Sequence, residues 1–78
     1  MGTIRLSKHA RERMRERGIS EREVQEVLAN AQVTTPGLRP NRVNRWGVTM
    51  AGRRLRITQP ADDPSYVITV VAPEEDTR

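Results

Sequence analysis

Ser7-Lys8-His9-Ala10-Arg11-Glu12-Arg13-Met14-Arg15-Glu16-Arg17-Gly18-Ile19-Ser20-Glu21-Arg22-Glu23 is the stretch on which the fold turns, because it holds two helix starts and one helix stop. Ser7 has a side chain able to accept from the free N–H groups of a first turn, so a helix is expected over roughly residues 8–17. Gly18 stands where a left-handed residue ends a helix most cheaply. Ser20 with Glu23 three residues later reads as a reciprocal capping box that opens a second helix. Val24, Val27, Leu28 and Ala31 then recur at helical spacing and give that helix its buried stripe, ending near Asn30. Two helices with so short a connection form an αα-hairpin.

Downstream the period changes. Residues 33–40 read as a linker, with Thr34-Thr35-Pro36-Gly37 as turn chemistry and Pro40 barred from a central strand. Trp46, Val48 and Met50 alternate along one strand, and Leu55 and Ile57 along the next. A tip at Ala51-Gly52 would set Val48 opposite Leu55 and Trp46 opposite Ile57, although Ala at the first turn position leaves room for a longer loop. Residues 60–65 form the next connection. A third strand from Tyr66 to Ala72 is apolar on both faces, with Ile68 and Val70 on one and Val67 and Val71 on the other. The expected fold is therefore α+β in ααβββ order. Two N-terminal helices pack on a three-stranded antiparallel sheet and cover the face bearing Trp46, Val48, Leu55, Ile57, Ile68 and Val70.

Seventy-eight residues make a single domain, 1–78, with its core over about 3–72 and a frayed acidic tail at 73–78. There is no Phe and no Cys, one Trp and one Tyr, so the core is aliphatic and has no disulfide. Such a core contributes only ~3–5 kcal/mol of net stability, which makes a homodimer or a bound partner a natural supplement. No apolar run reaches membrane-spanning length and no signal-peptide pattern opens the chain, so no membrane association is expected and a cytoplasmic location is the default.

The net charge of +4 is unevenly spread. Residues 1–30 carry seven basic and five acidic side chains, residues 31–59 six Arg and no acid, and residues 60–78 one Arg and five acids. The middle third therefore makes a local field attractive to phosphate. All the basic residues but Lys8 are Arg, which binds phosphate bidentately and stacks on bases; a coding bias toward Arg would produce the same preference. The sheet face away from the helices is expected to present Arg45, Arg54 and Arg56 around Thr58 and Thr69, over a floor of Val67 and Val71. That arrangement suits a phosphodiester backbone with bases against the floor. The plainer alternative is a solvated face covered by a partner protein.

His9, Arg13 and Arg17 fall on one line of the first helix at i, i+4 spacing, beside the apolar stripe of Ala10 and Met14. A neutral imidazole beside two guanidiniums could act as general base while the Arg residues neutralise a phosphate. The plainer alternative is a packed histidine with Arg13 and Glu16 in a surface ion pair. Converging carboxylates, a second histidine, a cysteine nucleophile and a Gly-rich phosphate loop are all missing from the sequence, so neither metal nor cofactor is expected. Metal-free cleavage is easiest on RNA, whose own 2′-hydroxyl attacks phosphorus; Tyr66 or a water would protonate the leaving oxygen.

The run His9-Ala10-Arg11-Glu12-Arg13-Met14-Arg15-Glu16-Arg17-Gly18-Ile19 resembles the opening signature, H-A-x-x-R-M-x-x-R-G-I, of the bacterial family called domain of unknown function 4258. The Gly52-Arg53-Arg54-Leu55 segment and the Tyr66–Val71 strand are similar to that family's two closing strands. The resemblance implies His9, Arg13, Arg17 and Thr69 as motif residues. It also implies a distant likeness to the RelE/ParE- and BrnT-like toxins and to the wider set of small metal-independent bacterial ribonuclease toxins, which a cognate antitoxin or immunity protein neutralises. The acidic C-terminus departs from the RelE-type pattern, which has a basic and tyrosine-rich end. Three functions stand open at this point: a metal-independent endoribonuclease using His9, a non-catalytic nucleic-acid-binding module, and a protein–protein interaction module.

Overall fold

Ser7 accepts a hydrogen bond from the Ala10 N–H at 2.9 Å and so starts α1, Lys8–Arg17. Gly18 stops it in the left-handed region at φ 65°, where its N–H reaches Arg15 O and the Ile19 N–H reaches Met14 O. That pair of bonds satisfies the last carbonyls of the helix. Ser20 and Glu23 form the reciprocal box at 3.1 and 3.0 Å and open α2, Glu21–Ala29, which Asn30 closes. Ala10, Met14, Ile19, Val24 and Val27 are buried, as the helical periodicity requires. The computed structural model describes residues 4–76.

The strands number more than three. Ahead of α1, β1 (Arg5–Leu6) pairs in parallel with β5 (Tyr66–Val67). The larger sheet has the order β2-β3-β4-β6, all antiparallel, with β2 at Val33–Pro36, β3 at Arg42–Val48, β4 at Arg54–Pro60 and β6 at Thr69–Val71. The expected linker at 33–40 is thus half strand. Pro36 fits because β2 lies at the sheet edge, where a missing N–H leaves no gap in a ladder. The part of the expected tail that is described is also ordered. Residues 73–76 form a short helix, α3, and Glu75 binds Arg53; residues 77–78 lie outside the described segment.

The register of the central hairpin differs by one residue from the tight-turn expectation. The closing loop runs from Thr49 to Arg53, held by Thr49 N–H to Arg53 O at 2.8 Å and Gly52 N–H to Thr49 O at 2.9 Å. Gly47 therefore lies opposite Leu55, and Trp46 opposite Arg56. Because side chains alternate, a one-residue slip exchanges the two faces of a strand. Gly47, not Trp46, meets the helices: a Cβ on it would lie 3.1 Å from a Val27 methyl. Helix α2 comes down on bare backbone there, which leaves no room for an indole.

The covered face consists of Leu55, Ile57 and Val70, with Gly47 and Arg45 on β3. Val67 is also fully buried, so it is not part of the open face. The third strand changes partners at Ile68, whose N–H goes to Thr58 O while the carbonyls of Val67 and Ile68 accept from Ser7. This break shifts the alternation, and Val67 and Val70 both point inward. Among the described residues no helix is long and apolar enough to cross a membrane.

Candidate nucleic-acid interface

The uncovered face of the large sheet is built by alternation alone. From β3 it receives Arg42, Asn44, Trp46 and Val48; from β4, Arg54, Arg56 and Thr58; from β6, Thr69 and Val71; and from the edge strand, Val33 and Thr35. Trp46 and Arg56 are direct cross-strand partners, and the guanidinium carbon stands 5.6 Å from the ring centroid. A cation over the indole face at that distance is attracted to its negative quadrupole. The indole Nε1–H donates to Thr35 Oγ1 at 2.8 Å, so β2 fixes the ring's orientation. Thr58 Oγ1 donates to Asn44 Oδ1 at 2.7 Å.

Beside this stack lies a cavity of about 180 Å³. Arg39, Arg42, Asn44, Arg56, Thr58 and Thr69 line its polar part, and Leu38 and Ile68 its apolar walls. Arg56 Nε is itself buried without a hydrogen-bond partner among the described residues. On the other side of the stack Val33, Trp46, Val48 and Arg54 frame a smaller hollow. A larger hollow of about 650 Å³ opens between β1 and α1 over Met14 and Ile19, but it has no aromatic platform and Glu21 sits on its rim.

The arginine–carboxylate pairs lie away from this face, although Lys8, Arg11 and Arg15 on α1 also pair with no carboxylate among the described residues. Arg5 pairs with Asp63, Arg13 with Glu16, Arg22 with Glu26, and Arg53 with Glu23 and Glu75. Among the described residues Arg39, Arg42, Arg54 and Arg56 pair with no carboxylate. Four guanidiniums on one surface with no counter-charge among the described residues is an anion-attracting arrangement.

Arg54, Arg56 and Thr69 lie on this surface, and Arg56 and Thr69 line its cavity. Arg45 does not join them. It lies on the opposite face of β3, where its Nε donates to the buried Gln59 at 2.7 Å and Gln59 in turn reaches Pro64 O. His9 is exposed in the first turn of α1 and outside the cavity lining. Arg13 makes the i, i+3 ion pair at 3.6 Å, and the Arg17 carbonyl accepts from Arg53. Tyr66 lies beneath Arg5, whose guanidinium carbon is 5.4 Å from its ring centroid. Arg39, Arg42, Asn44 and Trp46 are the surface's additional members. The signal that could have found them is Gly47: a buried glycine inside a strand marks close backbone approach, which turns its neighbours Trp46 and Val48 outward.

Among the described residues no three His, Asp or Glu side chains gather as a metal site. Residues 6–72 match the family model described as a domain of unknown function, DUF4258. No curated protein and no solved structure matches the chain.

Proposed function

This chain belongs to the DUF4258 family, whose description assigns no activity, and we propose that it binds single-stranded nucleic acid, RNA first, across the open face of its large sheet. The observation that carries this reading is the stacked Trp46–Arg56 pair set among Arg39, Arg42 and Arg54, none of them matched by a carboxylate among the described residues. An indole supplies a stacking platform for a base, worth about 1–3 kcal/mol per base and tolerant of sequence. The guanidiniums take the phosphates. Arg54 and Arg56 stand two residues apart on one strand face, about 7 Å along it, so they can serve successive groups of an extended strand. Thr69, whose hydroxyl has no partner among the described residues, is the group able to accept from a 2′-hydroxyl, which is what separates RNA from DNA.

Cleavage is a stronger claim than binding, because it needs a base at the phosphate. His9 lies outside the cavity lining, so binding is the function this geometry supports. The test uses the chain's single tryptophan as reporter. Short single-stranded RNA should quench Trp46 fluorescence, and the logarithm of the binding constant should fall with the logarithm of salt at a slope of about −3 for four phosphate contacts. Unchanged fluorescence at low salt would refute the reading. Incubating the same RNA with EDTA present, followed by analysis for 2′,3′-cyclic phosphate ends, reads the ribonuclease alternative in parallel.

A further inference from the structure

Donors dominate the side chains of the cavity beside Trp46, with the Thr58 and Thr69 hydroxyl oxygens as its acceptors. Arg39, Arg42 and Arg56 bring only donors to it. Asn44 has its amide oxygen occupied by the Thr58 hydroxyl, which leaves the amide nitrogen as its unspent group. Thr58 has committed its proton to that bond, which leaves its oxygen an acceptor only. Arg56 Nε is a buried donor with no acceptor among the described residues. Such an unanswered donor costs about 1–3 kcal/mol, and the three guanidiniums lining the cavity favour a ligand that accepts. A nucleobase offers donors as well as acceptors and would leave some of them facing guanidinium. A phosphate group offers acceptors only.

The charge separates two kinds of phosphate. A bridging phosphodiester carries one negative charge and two free oxygens, which a single bidentate arginine matches. Three arginines with no carboxylate partner among the described residues, around about 180 Å³, call for more charge and more oxygens. A phosphomonoester has both: three terminal oxygens and a charge near −2 at neutral pH. We infer that the cavity lined by Arg39, Arg42, Asn44 and Arg56 is a subsite for a terminal phosphate, the phosphomonoester end of a nucleic-acid strand whose adjoining base lies on Trp46. This rests on the binding function proposed above, yet the subsite can be tested without it.

The decisive pair of probes is methyl phosphate and dimethyl phosphate, titrated into ¹⁵N-labelled protein while the Arg56 Nε–H and Asn44 side-chain amide signals are followed. Methyl phosphate should shift both saturably, and dimethyl phosphate should bind at least about tenfold more weakly, because it lacks one charge and one oxygen. Lowering the pH below the monoester's second ionisation, about 6, should weaken methyl phosphate toward the diester. Arg42→Ala should abolish the response, and Arg42→Lys should keep part of it, with the denaturation midpoint checking that each variant is folded. Equal response to the two esters, or none, overturns the subsite. A second arm compares one oligoribonucleotide with a 5′-phosphate, a 3′-phosphate or hydroxyls at both ends. Tightening of about tenfold by one phosphate supports the inference and identifies which end docks. If all three forms bind alike, the subsite is wrong and the binding function stands. If methyl phosphate docks but no oligonucleotide binds, the subsite stands and the nucleic-acid function is wrong.

Discussion

Arg53 and Arg56 are three positions apart in the chain and belong to different parts of the protein's chemistry. The Arg53 guanidinium donates to both Glu75 carboxylate oxygens at 2.7 Å and to the carbonyls of Arg17 and Gly18, with Glu23 at 3.5 Å. It joins the end of α1, the start of α2, and α3 to the hairpin. The Glu75 hydrogen bond and the surrounding carboxylates hold its pKa above the ordinary arginine value. Arg56 stacks on an indole, leaves a buried N–H unused and meets no carboxylate among the described residues. A cation answered by its own chain is architecture. One left unanswered on a surface is available for a ligand. The same contrast separates the two faces of β3, where Arg45 is bound by Gln59 and Arg42 faces the cavity.

The largest effects should come from the covered face. Gly47→Val would drive a branched side chain into Val27, where a single Cβ already lies at 3.1 Å. Overpacking of this kind costs about 1–3 kcal/mol, and the upper end is expected because backbone just past the end of α2 also lies close, with Ala31 Cα at 3.6 Å. Urea denaturation measures it, and an unchanged midpoint would show that the helix does not rest on β3. Arg53→Ala comes next, at about 2 kcal/mol after allowance for partial exposure, which in a domain this small lowers Tm by roughly 10 °C. RNA affinity at a temperature where the variant is folded should be unaffected, since Arg53 serves the other side.

On the open face the order inverts, with little change in stability and clear loss of binding. Trp46→Leu keeps apolar bulk but removes the stacking platform, and should weaken RNA binding by at least about 1 kcal/mol. Arg54→Ala should leave stability within about 0.5 kcal/mol while reducing the salt slope by about 0.7. A variant here that unfolds the protein without touching affinity would collapse the distinction between the two faces.

The helices were legible because each boundary is local: Ser7, Gly18, Ser20 and Glu23 act within a turn of where they stand. The sheet was less legible because register is set by a loop and by what packs on the far side. An alternating Trp46, Val48 pattern looks like a core face until Gly47 is recognised as the place where Val27 comes down. Strand β2 was hidden by turn residues that an edge strand tolerates, and β1 by a length of two residues. Arg54 and Arg56 could be placed from β4 alone, whose alternation was read in the right phase. Arg45, Arg42, Asn44 and Trp46 needed the register of β3, and the separation of Arg53 from Arg54 needed Glu75, which lies 22 positions away in the chain.

The smallest expected effect tests the answered charges at the β1–β5 end. Asp63 accepts from the Ser65 hydroxyl at 2.8 Å and from the Ser65 N–H at 3.2 Å, and it pairs with Arg5. The Ser65 hydroxyl, helped by the Ser65 N–H and the Arg5 charge, holds its carboxyl below the ordinary 3.8. A depressed folded-state pKa means the unfolded chain takes up the proton first. The stabilisation is therefore fully present above the ordinary carboxylate value and disappears as pH falls through the lowered one. Asp63→Asn should remove that part of the acid limb and leave the shape of the curve unchanged above about pH 5. Because Asp63 is solvent-accessible, the change should be small and should shrink further in high salt. Chemical denaturation at a series of pH values measures it, and an acid limb identical to that of the unsubstituted protein would show that the Ser65 and Arg5 contacts do not hold in solution.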